Sequence, residues 1–120
     1  SIVSGYWKKD RYLGLYEKPY ELIANTGKVT RVNCRISNKK GDDITFNVNK
    51  ISEGLVSISD VYVLSGTYYT KNAQKMGNIS VLTLKQVAFP FNAIFTLENG
   101  ETVQILFNEK ADYDVEIQVI

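Results

Sequence analysis

The sequence predicts an all-β domain: a single antiparallel β-barrel or a two-sheet β-sandwich of about eight strands, with no substantial helix. Three observations lead there. Runs of strict alternation recur, as in Thr30-Arg31-Val32-Asn33-Cys34-Arg35-Ile36 and Tyr113-Asp114-Val115-Glu116-Ile117-Gln118-Val119. Asn99-Gly100 joins two runs rich in β-branched and aromatic residues, and this dipeptide accepts the positive φ values of a tight hairpin turn. No stretch sustains the helical period.

Taken in order, the chain opens on an aromatic and irregular segment containing Tyr6, Trp7, Tyr12, Tyr16 and Tyr20. Residues 2–7 suit a first strand, and Pro19 places any strand around it at a sheet edge. From Lys28 the alternation is regular. Thr30, Val32, Cys34 and Ile36 point one way while Arg31, Asn33 and Arg35 point the other. After a turn at Asn38-Lys39-Lys40-Gly41, Ile44, Phe46 and Val48 oppose Thr45, Asn47 and Asn49, which suggests a hairpin with one wet face.

Residues 52–60 suit a connection with a short strand. Residues 61–70 form a further strand in which Gly66 marks a bulge or a close approach of backbone. Residues 71–78 read as a polar loop. In residues 78–89 the apolar phase slips between Val81 and Leu82, so a bulge or bend is expected there, and Pro90 ends the run. Residues 91–107 form the Asn99-Gly100 hairpin, and residues 112–120 a last strand. Its acidic outer face would suit the basic outer face of residues 28–35 if the two were neighbours.

A two-residue loop at Asn99-Gly100 sets a register in which Leu97 faces Thr102, Phe95 faces Gln104 and Ala93 faces Leu106. One face then carries Ala93, Phe95, Leu97 and Leu106, and the other Ile94, Val103, Ile105 and Phe107. Both faces are apolar, whereas an ordinary hairpin of a small domain has one wet side. Ile94, Val103, Ile105 and Phe107 therefore form a candidate interface, covered by the N-terminal segment, a second subunit or an apolar ligand.

At 120 residues the chain is one domain spanning 1–120, large enough to bury about two-thirds of its unfolded surface. Lys plus Arg number 14 against 13 for Asp plus Glu, so no long-range field draws in nucleic acid. Histidine is absent, which removes the commonest general base and metal ligand and argues against an enzyme. Cys34 is the lone cysteine and reads as a small buried hydrophobe; it leaves the redox compartment open. No apolar run reaches the roughly 18 residues of a membrane span. The chain starts without a signal-peptide pattern, which leaves open whether a leader was removed before Ser1.

No motif of serine, histidine, cysteine or phosphate-loop chemistry is present, and no cofactor is implied. Glu98 and Glu101 flank a turn and read as solvated. Asp42-Asp43 and Asp112 with Asp114 offer too few oxygens for calcium, so no metal site is expected. Asn78-Ile79-Ser80 is a glycosylation sequon. Tyr6, Trp7, Tyr12, Tyr16, Tyr20 and Tyr68 are the candidate ligand-binding residues. They either plug and cover the fold or form a stacking platform for sugars or bases.

Gly5-Tyr6-Trp7 resembles the G-x-W signature on the first strand of lipocalins and their calycin relatives, and an antiparallel meander of this length is similar to that superfamily's barrel. The resemblance implies a barrel closed at one end by Trp7 and open at the other to small apolar ligands. Departures are the distorted counterpart of the T-D-Y signature at Gly66-Thr67-Tyr68 and the lack of a C-terminal helix or disulfide pair.

Together these readings point to a non-catalytic binding module, secreted or surface-associated, that takes a small apolar or aromatic ligand or a partner protein. An assembly protein of a virion, tail or surface layer, with the apolar hairpin face as a homo-oligomer interface, is the first alternative. A carbohydrate-binding or carbohydrate-active domain is the second.

Overall fold

The computed structural model describes residues 18–120, together with the backbone pairing of β1 (Trp7–Lys8) with β2 (Arg11–Tyr12). The rest of the described chain is a two-sheet sandwich without helix. In chain order its strands are β3 (Tyr20–Asn25), β4 (Val29–Asn38), β5 (Ile44–Lys50), β6 (Ile58–Thr67), β7 (Thr70–Met76), β8 (Ile79–Lys85), β9 (Ala88–Leu97), β10 (Thr102–Phe107) and β11 (Asp112–Val119). Sheet one has the order β3-β10-β9-β6 and sheet two the order β4-β11-β5-β8-β7. The sheets do not close on each other, so the sandwich and not the barrel is formed.

Alternation decides which side of each strand meets the core. Phe91, Ala93, Phe95 and Leu97 of β9 and Val103, Ile105 and Phe107 of β10 are buried on the inner face of sheet one. Ile44, Phe46 and Val48 of β5, Leu82 and Leu84 of β8, and Tyr113, Val115, Ile117 and Val119 of β11 line the inner face of sheet two. Aromatic rings join the layers: Phe46 and Phe95 have centroids 4.4 Å apart, and Phe107 meets Tyr113 at 4.9 Å and 62°. Tilted and edge-on rings at such distances add to the area they bury.

The hairpin turns at residues 99 and 100 as expected, but its register differs by one. Leu97 accepts from Gly100 N–H at 2.9 Å and donates its own N–H to Glu101 at 2.8 Å. The loop therefore has three residues, Glu98, Asn99 and Gly100, and Gly100 alone takes a positive φ, of 88°. Three-residue hairpin loops ending on a positive-φ glycine are the next most common connection after the two-residue turns. Val103 pairs with Phe95 and Ile105 with Ala93. One step of slip moves a whole set of side chains to the other face. It brings Ala93, Phe95 and Leu97 together with Val103, Ile105 and Phe107 to the core and leaves Asn92, Ile94, Thr96, Thr102, Gln104 and Leu106 outside.

Four further expectations change. β4 and β5 are not a hairpin, because β11 lies between them, antiparallel to β4 and parallel to β5. The supposed loop at residues 71–78 is mostly strand: β7 pairs with β8 around Gly77-Asn78, Met76 opposite Ile79. No bulge occurs at Val81 and Leu82. β8 pairs in unbroken register, with Ser80, Leu82 and Leu84 inward and Val81 covered on the other face between Asn47 and Gln74. Pro90 lies within β9, and the chain breaks instead at Gln86, whose φ is 52°.

Gly66 meets both expectations placed on it. The register of β6 on β9 shifts between Ser65 and Thr67, and a Cβ on Gly66 would stand 2.5 Å from the carbonyl oxygens of Ala88 and Pro90. With φ at 80° the position suits glycine and little else.

Candidate functional site

Two outer faces remain once the core is filled, and their chemistry differs. On sheet one, Tyr62 lies opposite Ile94, and Leu64 is exposed nearby on the same edge strand. On sheet two, three rows of side chains cross the strands. Arg31, Gln118, Asn49, Ile79 and Met76 form one, and Asn33, Glu116, Asn47, Val81 and Gln74 the next. Arg35, Asp114, Thr45, Thr83 and Asn72 form the third. Neighbouring strands lie about 4.8 Å apart, so the β4, β11 and β5 members of each row form a short ladder of closely spaced polar groups.

An open depression of about 340 Å³ lies on this face, lined by Arg31, Asn47, Asn49, Ile79, Glu116 and Gln118. A second, of about 180 Å³, adjoins it through Glu116 and reaches Asn33, Arg35 and Asp114. Several groups are already committed. Arg35 pairs with Asp114 at 2.9 Å. With the Asn33 amide turned to satisfy both groups, its oxygen accepts from Arg31 Nε at 3.0 Å and Nη2 at 2.9 Å, which fixes the guanidinium. Gln118 Oε1 lies 3.4 Å from the Thr30 hydroxyl. Glu116 has no ion-pair partner among the described residues, and Asn49 makes no side-chain hydrogen bond there. The depression thus offers a guanidinium, a carboxylate and three amides beside the half-buried Ile79, with its two charges of opposite sign.

The residues singled out in the sequence fall elsewhere. Tyr6 and Tyr16 lie outside the described residues. Trp7 and Tyr12 are register partners on β1 and β2. Tyr20 packs edge-on against Tyr113 with centroids 6.2 Å apart, and Tyr68 against Phe91 at 6.3 Å. Both therefore close the margins of the core. Val103, Ile105 and Phe107 are buried between the sheets and present nothing to a second subunit, whereas Ile94 is half-buried on the outer face. This corrects the candidate interface, and its cause is the one-residue register shift.

The acidic residues act as ties. Glu98 Oε1 accepts from Ser57 N–H at 2.8 Å; Glu101 Oε1 accepts from Lys28 N–H at 2.7 Å and from the Thr26 hydroxyl at 2.9 Å. These bonds hold the Glu101 carboxyl below the usual carboxylate range, the Lys28 amide contributing most. Asp112 Oδ1 accepts from Asp43 N–H at 2.8 Å and Asp43 Oδ1 from Gln86 N–H at 3.0 Å. No cluster of three or more metal-ligating side chains occurs among the described residues.

Cys34 is half-buried on the inner side of β4, opposite Val115. Burial, with the Asp114 charge adding to it, pushes its thiol up to about 12, so it stays protonated and packs as a hydrophobe. The Tyr113 hydroxyl lies 2.6 Å from the Glu109 carbonyl and 3.0 Å from that of Pro19, tying the start of β3 to the β10–β11 connection. Desolvation raises its pKa. No helix among the described residues is long and apolar enough to cross a membrane.

Sequence reasoning assigned Arg31, Asn33, Asn47, Asn49, Glu116 and Gln118 to wet faces but did not bring them together. The signal that was available was the match of charge between the last strand and residues 28–35, which the Arg35–Asp114 pair realises. Compared with protein-family models, with curated proteins and with solved structures, the chain matches none of them.

Proposed function

We propose that the protein is a non-catalytic binding module whose ligand is neutral and rich in hydroxyl groups, a saccharide chain, held on the outer face of sheet two. The observation that carries this reading is the depression bounded by Arg31, Asn47, Asn49, Glu116 and Gln118. Amides and a carboxylate–guanidinium set present donors and acceptors together, as vicinal hydroxyls require. Ile79 supplies an apolar surface for the C–H face of a sugar ring. The opposed charges of Arg31 and Glu116 favour a neutral ligand over a phosphate or a polyanion. A ladder built on paired strands is rigid, so binding costs little ordering of the protein.

A glycan array, followed by calorimetry on the best neutral oligosaccharide, tests this. Asn49→Ala and Glu116→Ala are each expected to weaken binding by about tenfold or more, the loss of one or two hydrogen bonds, with the fold intact. Absence of any neutral glycan ligand, or binding unchanged in both variants, overturns the proposal.

A second reading, an assembly role, is favoured by the edge strand β6, where Tyr62 is 60% and Leu64 48% exposed. Light scattering that gives a defined oligomer dissociated by Tyr62→Asp would support that reading over the first.

A further inference from the structure

Four strands form the edges of the two sheets: β3 and β6 in sheet one, β4 and β7 in sheet two. Three are interrupted. The pairing of β3 shifts register between Gln104 and Ile105, that of β4 shifts near both ends of β11, and that of β6 shifts three times. Bulges of this kind twist an edge away from further pairing. β7 is different: its seven residues pair with β8 in unbroken register, and every one of them is exposed.

The side chains of β7 fall into two sets. Thr70, Asn72, Gln74 and Met76 continue the outer face of sheet two, while Lys71, Ala73 and Lys75 share the opposite side, in phase with Leu84, Leu82 and Ser80. Neither lysine has an ion-pair partner among the described residues. A strand laid beside β7 would find two ammonium groups four residues apart with a small residue between them.

We propose that β7 is the docking edge for an extended segment of a partner protein that carries acidic side chains four residues apart on one face, added as a sixth strand of sheet two. Opposite charges directly across a strand pair are favourable and like charges unfavourable. That rule selects the occupant. A second copy pairing antiparallel through β7 about Ala73 sets Lys71 against Lys75 at both ends, and a parallel copy sets each lysine against itself. An acidic strand meets both lysines, and its backbone completes the open row of N–H and C=O groups that any edge presents. This surface lies at the far edge of the sheet from β4 and does not depend on the saccharide reading.

The test is a titration of the isotope-labelled protein, followed by amide chemical shifts and hydrogen exchange. The probe is a nine-residue peptide with β-branched residues alternating and glutamates four apart on one face. Two controls accompany it: the same peptide with lysines for the glutamates, and the glutamate peptide N-methylated at alternate amides. The glutamate peptide is expected to perturb and protect residues 70–76, and both controls to bind about tenfold or more weakly. The double variant Lys71→Glu, Lys75→Glu, at exposed positions, is expected to reverse the preference toward the lysine peptide. Perturbation mapped to β3, β4 or β6, affinity indifferent to charge or to N-methylation, or dimerisation through β7 without peptide would each overturn the proposal.

Discussion

Phe95 sits fully buried at the centre of the sandwich, its ring 4.4 Å from that of Phe46 across the two sheets. Phe95→Ala is expected to cost about 3 kcal/mol or more, the lost transfer energy plus a cavity that close-packed neighbours fill only in part. A loss under about 1 kcal/mol in chemical denaturation would mean the ring does not hold the layers together. Glu101 gives a pH-dependent counterpart. Its carboxylate accepts the Lys28 and Thr26 bonds, so its folded pKa lies below its unfolded value. The stabilisation is fully present above the unfolded value of about 4.3 and is lost as pH falls through the folded one. The stability gap between the native chain and Glu101→Gln should therefore be widest near neutrality and close in acid, as denaturant titrations at stepped pH would record. At this scale the apolar side chains were legible, because alternation reports burial directly. The glutamates were not: their partners at residues 26–28 and 57 come near only once the chain has folded.

Among the elements, the hairpin of β9 and β10 shows how a strong local signal can be right about place and wrong about register. Asn99-Gly100 marks the turn in either form, but the number of loop residues decides which side chains share a face. Of the loop residues only Gly100 has a positive φ, so Gly100→Ala is expected to cost about 1 kcal/mol and Asn99→Ala distinctly less. Thermal melts giving equal, large losses at both positions would instead fit the two-residue turn. β7 escaped the sequence because an edge exposed on both faces needs no apolar alternation. Gly77-Asn78, a dipeptide that itself starts a hairpin, was the cue that went unused. The polar site lay hidden for a related reason. Its side chains come from β4, β5, β8 and β11, and strand order, more than any one strand's pattern, sets them side by side.

For the molecule as a whole, the decisive feature is β11, which occupies the interior of sheet two between β4 and β5. Four of its side chains, Tyr113, Val115, Ile117 and Val119, belong to the core. A chain ending at residue 110 is accordingly expected to stay unfolded, since β4 and β5 would be left without a common neighbour and the core without one wall. Collapsed amide chemical-shift dispersion would check this, and a well-dispersed spectrum for such a fragment would refute it. The position of β11 also reaches back to the protein's synthesis. Translation proceeds from the amino end, so β4 and β5 emerge with the gap between them unfilled until residues 112–119 have left the ribosome. During that interval the nascent polypeptide is an open chain, available to chaperones, and the two sheets can close over one core only once β11 arrives.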